Sequence, residues 1–290
     1  MRRARRASMG GGAFAVVGVA VALLAPVAEA APKRIVALAP FTANTLAGIG
    51  VKPVGVGQML GGQKRLSPKL DGVRALPLSH PNGPNMEQLA RLSPQLVLSS
   101  PTWRKGAATM RALDIRVVES DPERVASVAP EIRRIGRLVG RAKQAKRLAR
   151  KVTAGVEKAR KRIEKRPKVL VLLGVGRTPF AFLSSSWGGD LITKAGGRLL
   201  TAGLDAKSGF ARISDEQVLA EAPDVILAVP HANEEDIPGI VDYMRDNPVW
   251  KSTPAGENDR IYISADDSLL QAGTDVGRVI RSIRSRYLKN

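Results

Sequence analysis

Histidine and cysteine, the side chains that most often carry metal or nucleophilic chemistry, are scarce in this sequence. Its 290 residues include two histidines, His80 and His231, and no cysteine. Without cysteine the chain cannot form a disulfide framework, a thiol nucleophile, a Cys-ligated zinc site or a lipidated N-terminal cysteine. Two facing neutral imidazoles can still ligate a metal such as iron. The alternative is a pair of unconnected surface histidines.

Arginine and aromatic residues supply further candidates for a binding site. Arginine pairs with carboxylates, and a tryptophan ring offers a flat apolar wall. The candidates follow predicted strands or lie next to predicted helices, and they are Trp103, Arg104, Trp187, Phe210 and Arg212. Ordinary packing of the aromatic rings and solvation of the arginines are the alternatives.

Signatures of catalysis are weak. An exported hydrolase would need an activated nucleophile, and the sequence contains no Gly-x-Ser-x-Gly. The run Gly174-Val175-Gly176-Arg177 resembles a phosphate loop only faintly, because no Gly-Lys-Ser/Thr follows it. We therefore expect a binding protein that is not an enzyme, with no intrinsic cofactor, and keep an exported hydrolase as the alternative.

The first thirty residues have the three parts of a secretory signal peptide. A start rich in arginine is followed by apolar residues 13–27 and then by Ala28-Glu29-Ala30. We expect cleavage after Ala30 and a mature chain in a periplasm or cell envelope. Export would follow either the Sec or the twin-arginine route. A membrane anchor is the alternative, but about fifteen apolar residues fall short of the roughly 20 that a span needs.

Positive charge is concentrated in one segment. The formal charge is +20, and residues 122–168 contain seventeen Lys or Arg and four Glu, a net of +13. Apolar residues recur there every three or four positions, which predicts one long amphipathic helix, or two in succession broken near Gly140. A solvated helix face, nucleic-acid binding and binding of anionic polymers at a cell surface are the three interpretations. The predicted export signal and the lack of aromatic residues in this segment disfavour nucleic acid.

Short apolar runs alternate with helical patterns on both sides of that segment, and 44% hydrophobic residues suffice for a real core. The pattern predicts an α/β fold with mostly parallel sheets in two Rossmann-like lobes joined by a long backbone helix. The predicted strands are residues 34–39, 54–56, 95–98, 116–118, 168–173, 224–229 and 260–263. The predicted helices are residues 42–50, 85–92, 103–113, 189–195, 215–222, 234–245 and 269–287.

The two predicted lobes share a sequence unit. Glu87-Gln88 and Glu216-Gln217 are each followed by a proline seven residues after the glutamate and then by an apolar run. Asn85 and Ser214 can cap the two helices, and a glutamate in the first turn interacts favourably with the helix dipole. The repeat predicts two related lobes, whereas two unrelated capping glutamates are the alternative.

The ordered set of motifs resembles the helical-backbone (class III) periplasmic substrate-binding proteins, which serve ABC importers of ferric siderophores, haem and cobalamin. The landmarks are residues 34–38, 46–56, the two Glu-to-Pro units, residues 135–140, Asn247-Pro248-Val249-Trp250 and residues 259–262. The resemblance covers essentially the whole mature chain. It implies a signal peptide at 1–30, an N-terminal lobe at 31–121, a connecting backbone helix at 122–166 and a C-terminal lobe at 167–290.

The resemblance also implies a site and partners. In this family one exposed glutamate on each lobe docks on arginines of the membrane permease, and by position these are Glu87 and Glu216. The ligand lies between the lobes, where His80 and His231 would be axial ligands if it is haem. A ferric siderophore or haem is the expected ligand, and cobalamin or another metal chelate is the alternative. We expect a monomer with small lobe motion that does not bind nucleic acid.

Overall fold

A computed structural model describes residues 31–58, 66–160, 166–232, 235–264 and 267–289. The predicted signal peptide, residues 161–165 of the connecting segment and Glu234 lie outside the described residues. The strands are β1 (Ile35–Ala37), β2 (Gly55–Gln58), β3 (Arg74–Ser79), β4 (Gly83–Pro84), β5 (Leu96–Ser99), β6 (Arg116–Glu119), β7 (Lys168–Val175), β8 (Thr178–Phe182), β9 (Arg198–Leu199), β10 (Phe210–Arg212), β11 (Val225–Pro230) and β12 (Ile261–Ile263).

Helices fill most of the connections between these strands. They are α1 (Pro40–Gly48), α2 (Met86–Arg91), α3 (Arg104–Ala112), α4 (Val125–Leu138), α5 (Ala142–Ala159), α6 (Trp187–Ala195), α7 (Asp215–Glu221), α8 (Ile237–Asp246), α9 (Pro248–Lys251), α10 (Pro254–Glu257) and α11 (Val276–Ile283). The predicted helix 269–287 therefore begins later than expected, because a single 3-10 turn, Asp267–Leu269, precedes it.

The described strands form two sheets, one in each lobe. The first has the order β4-β3-β2-β1-β5-β6, in which every pairing is parallel except that of the edge strand β4 with β3. The second has the order β10-β8-β7-β11-β12, with β9 also paired to β7. In it β7, β9, β11 and β12 pair in parallel, and β8 and β10 are antiparallel. The predicted α/β class with mostly parallel sheets is confirmed.

The Glu-Gln unit is repeated in structure as well as in sequence. An antiparallel edge strand, β4 or β10, precedes each helix, and the side chain of Asn85 or Ser214 accepts a hydrogen bond from the third helical residue. After each helix a residue with positive φ, Ser93 at 41° or Ala222 at 44°, precedes the proline. A parallel strand next to the central strand follows. Both predicted caps are confirmed.

The connecting segment folds as two helices, the second of the two arrangements that the pattern allowed. Helix α4 ends at Leu138 and α5 begins at Ala142, and Gly140 between them has φ +68°, a conformation that favours glycine. The two helices pack against each other, and α5 is the longer with 18 residues. The single helix assigned to residues 122–166 is therefore corrected to a pair, which we call the helix pair.

One contiguous cluster of buried side chains serves both lobes. It joins Ile35, Ala37, Leu96 and Leu98 of the first sheet to α1 and the helix pair, and continues to Val169, Val171, Val225 and Leu227 of the second sheet. Residues at alternate positions of each strand point to the other face of their sheet. There a separate cluster covers each lobe, with α2 and α3 on the first sheet and α7 and α8 on the second.

A search of the described residues finds no helix with both the length and the apolar character that crossing a bilayer requires.

Candidate functional site

A cavity of about 190 Å³ lies between the two sheets at the carboxyl ends of their strands. Ligands of open α/β sheets bind at this end, because the loops that follow the strands meet there. The first lobe contributes residues that follow β1, β5 and β6, and the second contributes residues of β7 and β10 and from loops. The lining residues are Ala39, Pro40, Ser100, Thr102, Trp103, Asp121, Leu173, Phe210, His231, Leu270 and Gln271.

Trp103 forms a wall of this cavity and holds His80 beside it. The tryptophan is 4% exposed, and the ring centroids of Trp103 and His80 are 6.1 Å apart in an edge-to-face arrangement. A side chain at Gly106 of α3 would collide with Asn82, whose carbonyl oxygen would lie 1.8 Å from the added Cβ. The missing side chain thus lets the His80 loop approach α3. His80 itself is exposed and does not line the cavity.

His231 lines the cavity from the second lobe. It follows β11 directly, and its backbone N–H donates to the carbonyl of Gly174 at 2.9 Å. Burial lowers the pKa of His231, and the charge of His80 lowers it further. Both effects keep the imidazole neutral, which is the form that binds metals.

Asp121 is a cavity residue that the sequence analysis missed. It lies two residues after β6 and is half-buried. Burial raises its pKa to about 6, a hydrogen bond with Ser100 acts in the opposite direction, and the charge of Glu123 raises it again. The rule that placed His231, a position just past the end of a parallel strand, would also have found Asp121 and Ser100.

Replacing Asp121 with asparagine should make the protein more stable at pH 7. A carboxyl whose pKa is higher in the folded than in the unfolded state lowers stability as pH rises from about 4 to 6. Asparagine resembles the protonated form, so the difference between variant and parent should shrink as the pH falls from 7 to 4. Thermal melting at each pH measures this. A difference in stability that does not vary with pH would contradict the prediction.

Phe210 and Arg212 share one face of β10, because they are two residues apart on a strand. Phe210 lines the cavity and packs edge-to-face on Phe182 with ring centroids 4.8 Å apart. Arg212 is exposed and is not among the lining residues. It therefore lies on the cavity side of the strand, outside the cavity.

Two predicted cleft residues lie elsewhere. Trp187 is 7% exposed and belongs to the shared core, where its indole N–H donates to the carbonyl oxygen of Ser268 at 2.9 Å. It is the first residue of α6 and is not among the residues that line the cavity. Arg104 is exposed on α3, with its guanidinium 3.9 Å from the carboxylate of Glu119. The structure thus places Trp187 in the shared core and Arg104 on the surface, and neither is among the residues that line the cavity.

A sequence profile described as "Periplasmic binding protein" matches residues 35–267. The chain belongs to this family. The high-affinity heme uptake system protein IsdE of Staphylococcus aureus (strain MRSA252) is 27% identical over 190 residues, which span 64% of this chain and 64% of that relative. The aligned part is thus less than two thirds of that relative's length.

Solved structures agree with the family assignment. The crystal structure of S. aureus IsdE complexed with heme is 25% identical with a TM-score of 0.74, covering 88% of this chain and 99% of that chain. An ABC transporter substrate-binding protein from Listeria monocytogenes EGD-e is 24% identical with a TM-score of 0.74, covering 89% and 99%. The resemblance to helical-backbone periplasmic binding proteins is confirmed.

The two predicted docking glutamates of this periplasmic binding protein occupy twin positions. Both lie in the first turn of the repeated helix, which follows the antiparallel strand β4 or β10. The side chain of Glu87 is 73% exposed and pairs with Arg91 at 2.6 Å. Glu216 is also exposed, and a hydrogen bond with Ser214 lowers its pKa. Helices α2 and α7 each lie across their sheet from the helix pair.

Proposed function

We propose that this periplasmic binding protein captures haem outside the cytoplasm and delivers it to an ABC importer. The observation that carries the proposal is the cavity between the lobes, which His231 lines and beside which His80 lies against Trp103. Neutral imidazole is a good axial ligand for haem iron. Trp103 and Phe210 offer apolar surface to the macrocycle. IsdE, which is named for heme uptake, is the relative that supports this ligand.

The size of the cavity is compatible with a ligand that protrudes. About 190 Å³ is small beside the roughly 300–1,000 Å³ of typical small-molecule sites. We infer that the edge of a flat macrocycle enters the cavity while its carboxylates remain near the mouth. Arg104 and Arg212 are exposed and close in sequence to the lining residues Trp103 and Phe210, and we infer that they pair with such carboxylates, as arginine can do bidentately. A ferric siderophore, cobalamin or another metal chelate remains the alternative ligand for the same cleft.

The partners follow from the same proposal. Glu87 and Glu216 dock on basic residues of the permease, one from each lobe, and their helix-capping neighbours hold them in place. The protein acts as a monomer with lobe boundaries at residues 31–121 and 167–290, after removal of residues 1–30. It binds and releases its ligand without transforming it, so it is not an enzyme. The shared core supports small lobe motion, because a hinge between the lobes would have to separate buried side chains.

Titration of the purified mature chain with haemin tests the ligand. We expect a sharpened Soret band that saturates at one haem per chain. Parallel titrations use a ferric catecholate siderophore, followed by its charge-transfer band, and cyanocobalamin. Tighter binding of either would replace haem as the ligand within the same transport function. Binding of none of the three, together with turnover of ester or phosphate substrates, would overturn the transport proposal in favour of an exported hydrolase.

A further inference from the structure

The outer side of the helix pair carries a dense row of exposed cations. Every cation of this row is exposed, while residues between them, at every third or fourth position of the helices, are buried in the shared core. We call this set the basic face, and it consists of Arg133, Arg137, Arg141, Lys143, Lys146, Arg147, Arg150, Lys151 and Lys158.

The basic face has little compensating charge within the described part of the chain. No ion pair there involves a member of the face, and the neighbouring Arg134 is the residue that pairs with Glu131, at 3.0 Å. Glu157 is the exposed carboxylate on α5 itself. Like charges four residues apart, such as Lys143 with Arg147 and Arg147 with Lys151, repel each other on a helix. A bound anionic partner would remove this repulsion.

The shape of the basic face suits a linear partner. From Lys143 to Lys158 the cations follow one side of α5 over about 23 Å at the α-helical rise. The apolar side of α5 is buried against α1 and α11, so it cannot enter a lipid bilayer as an interfacial helix does. Among the described residues the large exposed hydrophobic side chains are Leu113, Val175 and Leu219, none of them on the helix pair.

The basic face lies on a different side of each sheet from the two glutamates that are proposed to dock on the permease. Helices α2 and α7, which carry Glu87 and Glu216, cover the opposite faces of the two sheets from the helix pair. If the glutamates face the permease, as the proposed function requires, the basic face lies across each sheet from the helices that dock. An anionic polymer on the outer side of the protein can then be bound at the same time as the permease.

We propose that the basic face binds a linear, phosphate-bearing polyanion of the cell envelope, which retains the protein near its importer. The interaction is electrostatic, since multiple phosphates would displace counterions along the row of cations. This inference rests on the proposed function only for its orientation, because binding of the polyanion itself needs the basic face alone.

The test uses inorganic polyphosphate of defined length and the mature chain, with affinity measured at several salt concentrations. The variant K143Q/R147Q/R150Q/K151Q removes four charges from the basic face. Its matched control, R74Q/K105Q/R198Q/K207Q, removes two lysines and two arginines that are exposed elsewhere. We expect the first variant to lower the slope of log K against log salt by roughly 3, and the control to change it little.

Three outcomes would overturn the inference. Equal losses in the two variants would mean that net charge, and not this face, binds the polymer. Vesicles containing anionic phospholipid that bind more tightly than polyphosphate, at equal phosphate, would assign the face to a membrane. Preference for duplex DNA would assign it to nucleic acid. Haemin titration of both variants separates this test from the proposed function, because neither set of substitutions touches the cleft.

Discussion

Replacing Glu87 and Glu216 together with lysine should strongly reduce uptake of the ligand by cells while leaving its affinity for the purified protein unchanged. Both carboxylates are exposed, and both lie in the first turn of twin helices, one in each lobe. Opposite charges across an interface speed encounter and fix orientation, and like charges placed face to face are strongly unfavourable. We expect uptake to fall at least about tenfold, since each reversal would juxtapose two cations in the docked complex.

The matched control keeps the same change in net charge. Asp71 and Glu257 are exposed acidic residues elsewhere on the surface, and D71K/E257K should transport normally. Folding should not confuse the result, because the exposed Glu87–Arg91 pair is of a kind that contributes little to stability. Normal uptake by E87K/E216K would mean that Glu87 and Glu216 only stabilise the starts of their helices and do not dock on the permease.

Replacing His231 with leucine should lower haem affinity by at least about a hundredfold, as expected when a metal ligand and its orienting contacts are lost. His231 is the histidine that lines the cavity, and burial keeps it neutral. Leucine preserves apolar volume but has no lone pair. Methionine at the same position offers a thioether, so H231M should retain a Soret band at a shifted wavelength.

The pair of variants separates ligation from packing. If H231L and H231M bind haem equally well, His231 does not coordinate the iron. The same comparison at His80 measures the contribution of the first lobe, and we expect a smaller loss there because His80 lies outside the cavity lining. Circular dichroism and thermal melting confirm that each variant is folded.

Periodicity predicted the central parallel strands of both lobes but missed β3, β4, β8, β9 and β10. Strands β1, β5, β7 and β11 are apolar runs buried on both faces, which is the pattern of a central parallel strand. Strand β4 is a Gly-Pro pair and β8 contains Pro179, and proline within a short run disfavours a strand prediction. These strands form because the lobe supplies pairing partners, which local sequence does not encode.

The candidate site was predictable where it follows a strand closely. His231 and Trp103 were found because they follow β11 and β5 by a few residues, and Phe210 because it precedes the second glutamate unit. Asp121 was missed although it obeys the same rule. The burial of Trp187 in the shared core could not be predicted, since it depends on contacts such as the hydrogen bond to Ser268, far away in sequence.

Because a single cluster of buried side chains runs through both sheets and the helix pair, the two lobes are not independent folding units. A fragment ending at residue 121 would expose Ile35, Ala37, Leu96 and Leu98 to water, and the complementary fragment would expose Val169 and Val171. Neither half is then expected to be soluble by itself, and the protein should melt in one cooperative step. The two duplicated lobes therefore fold only together, and a gene encoding either half would yield an aggregate rather than a folded domain.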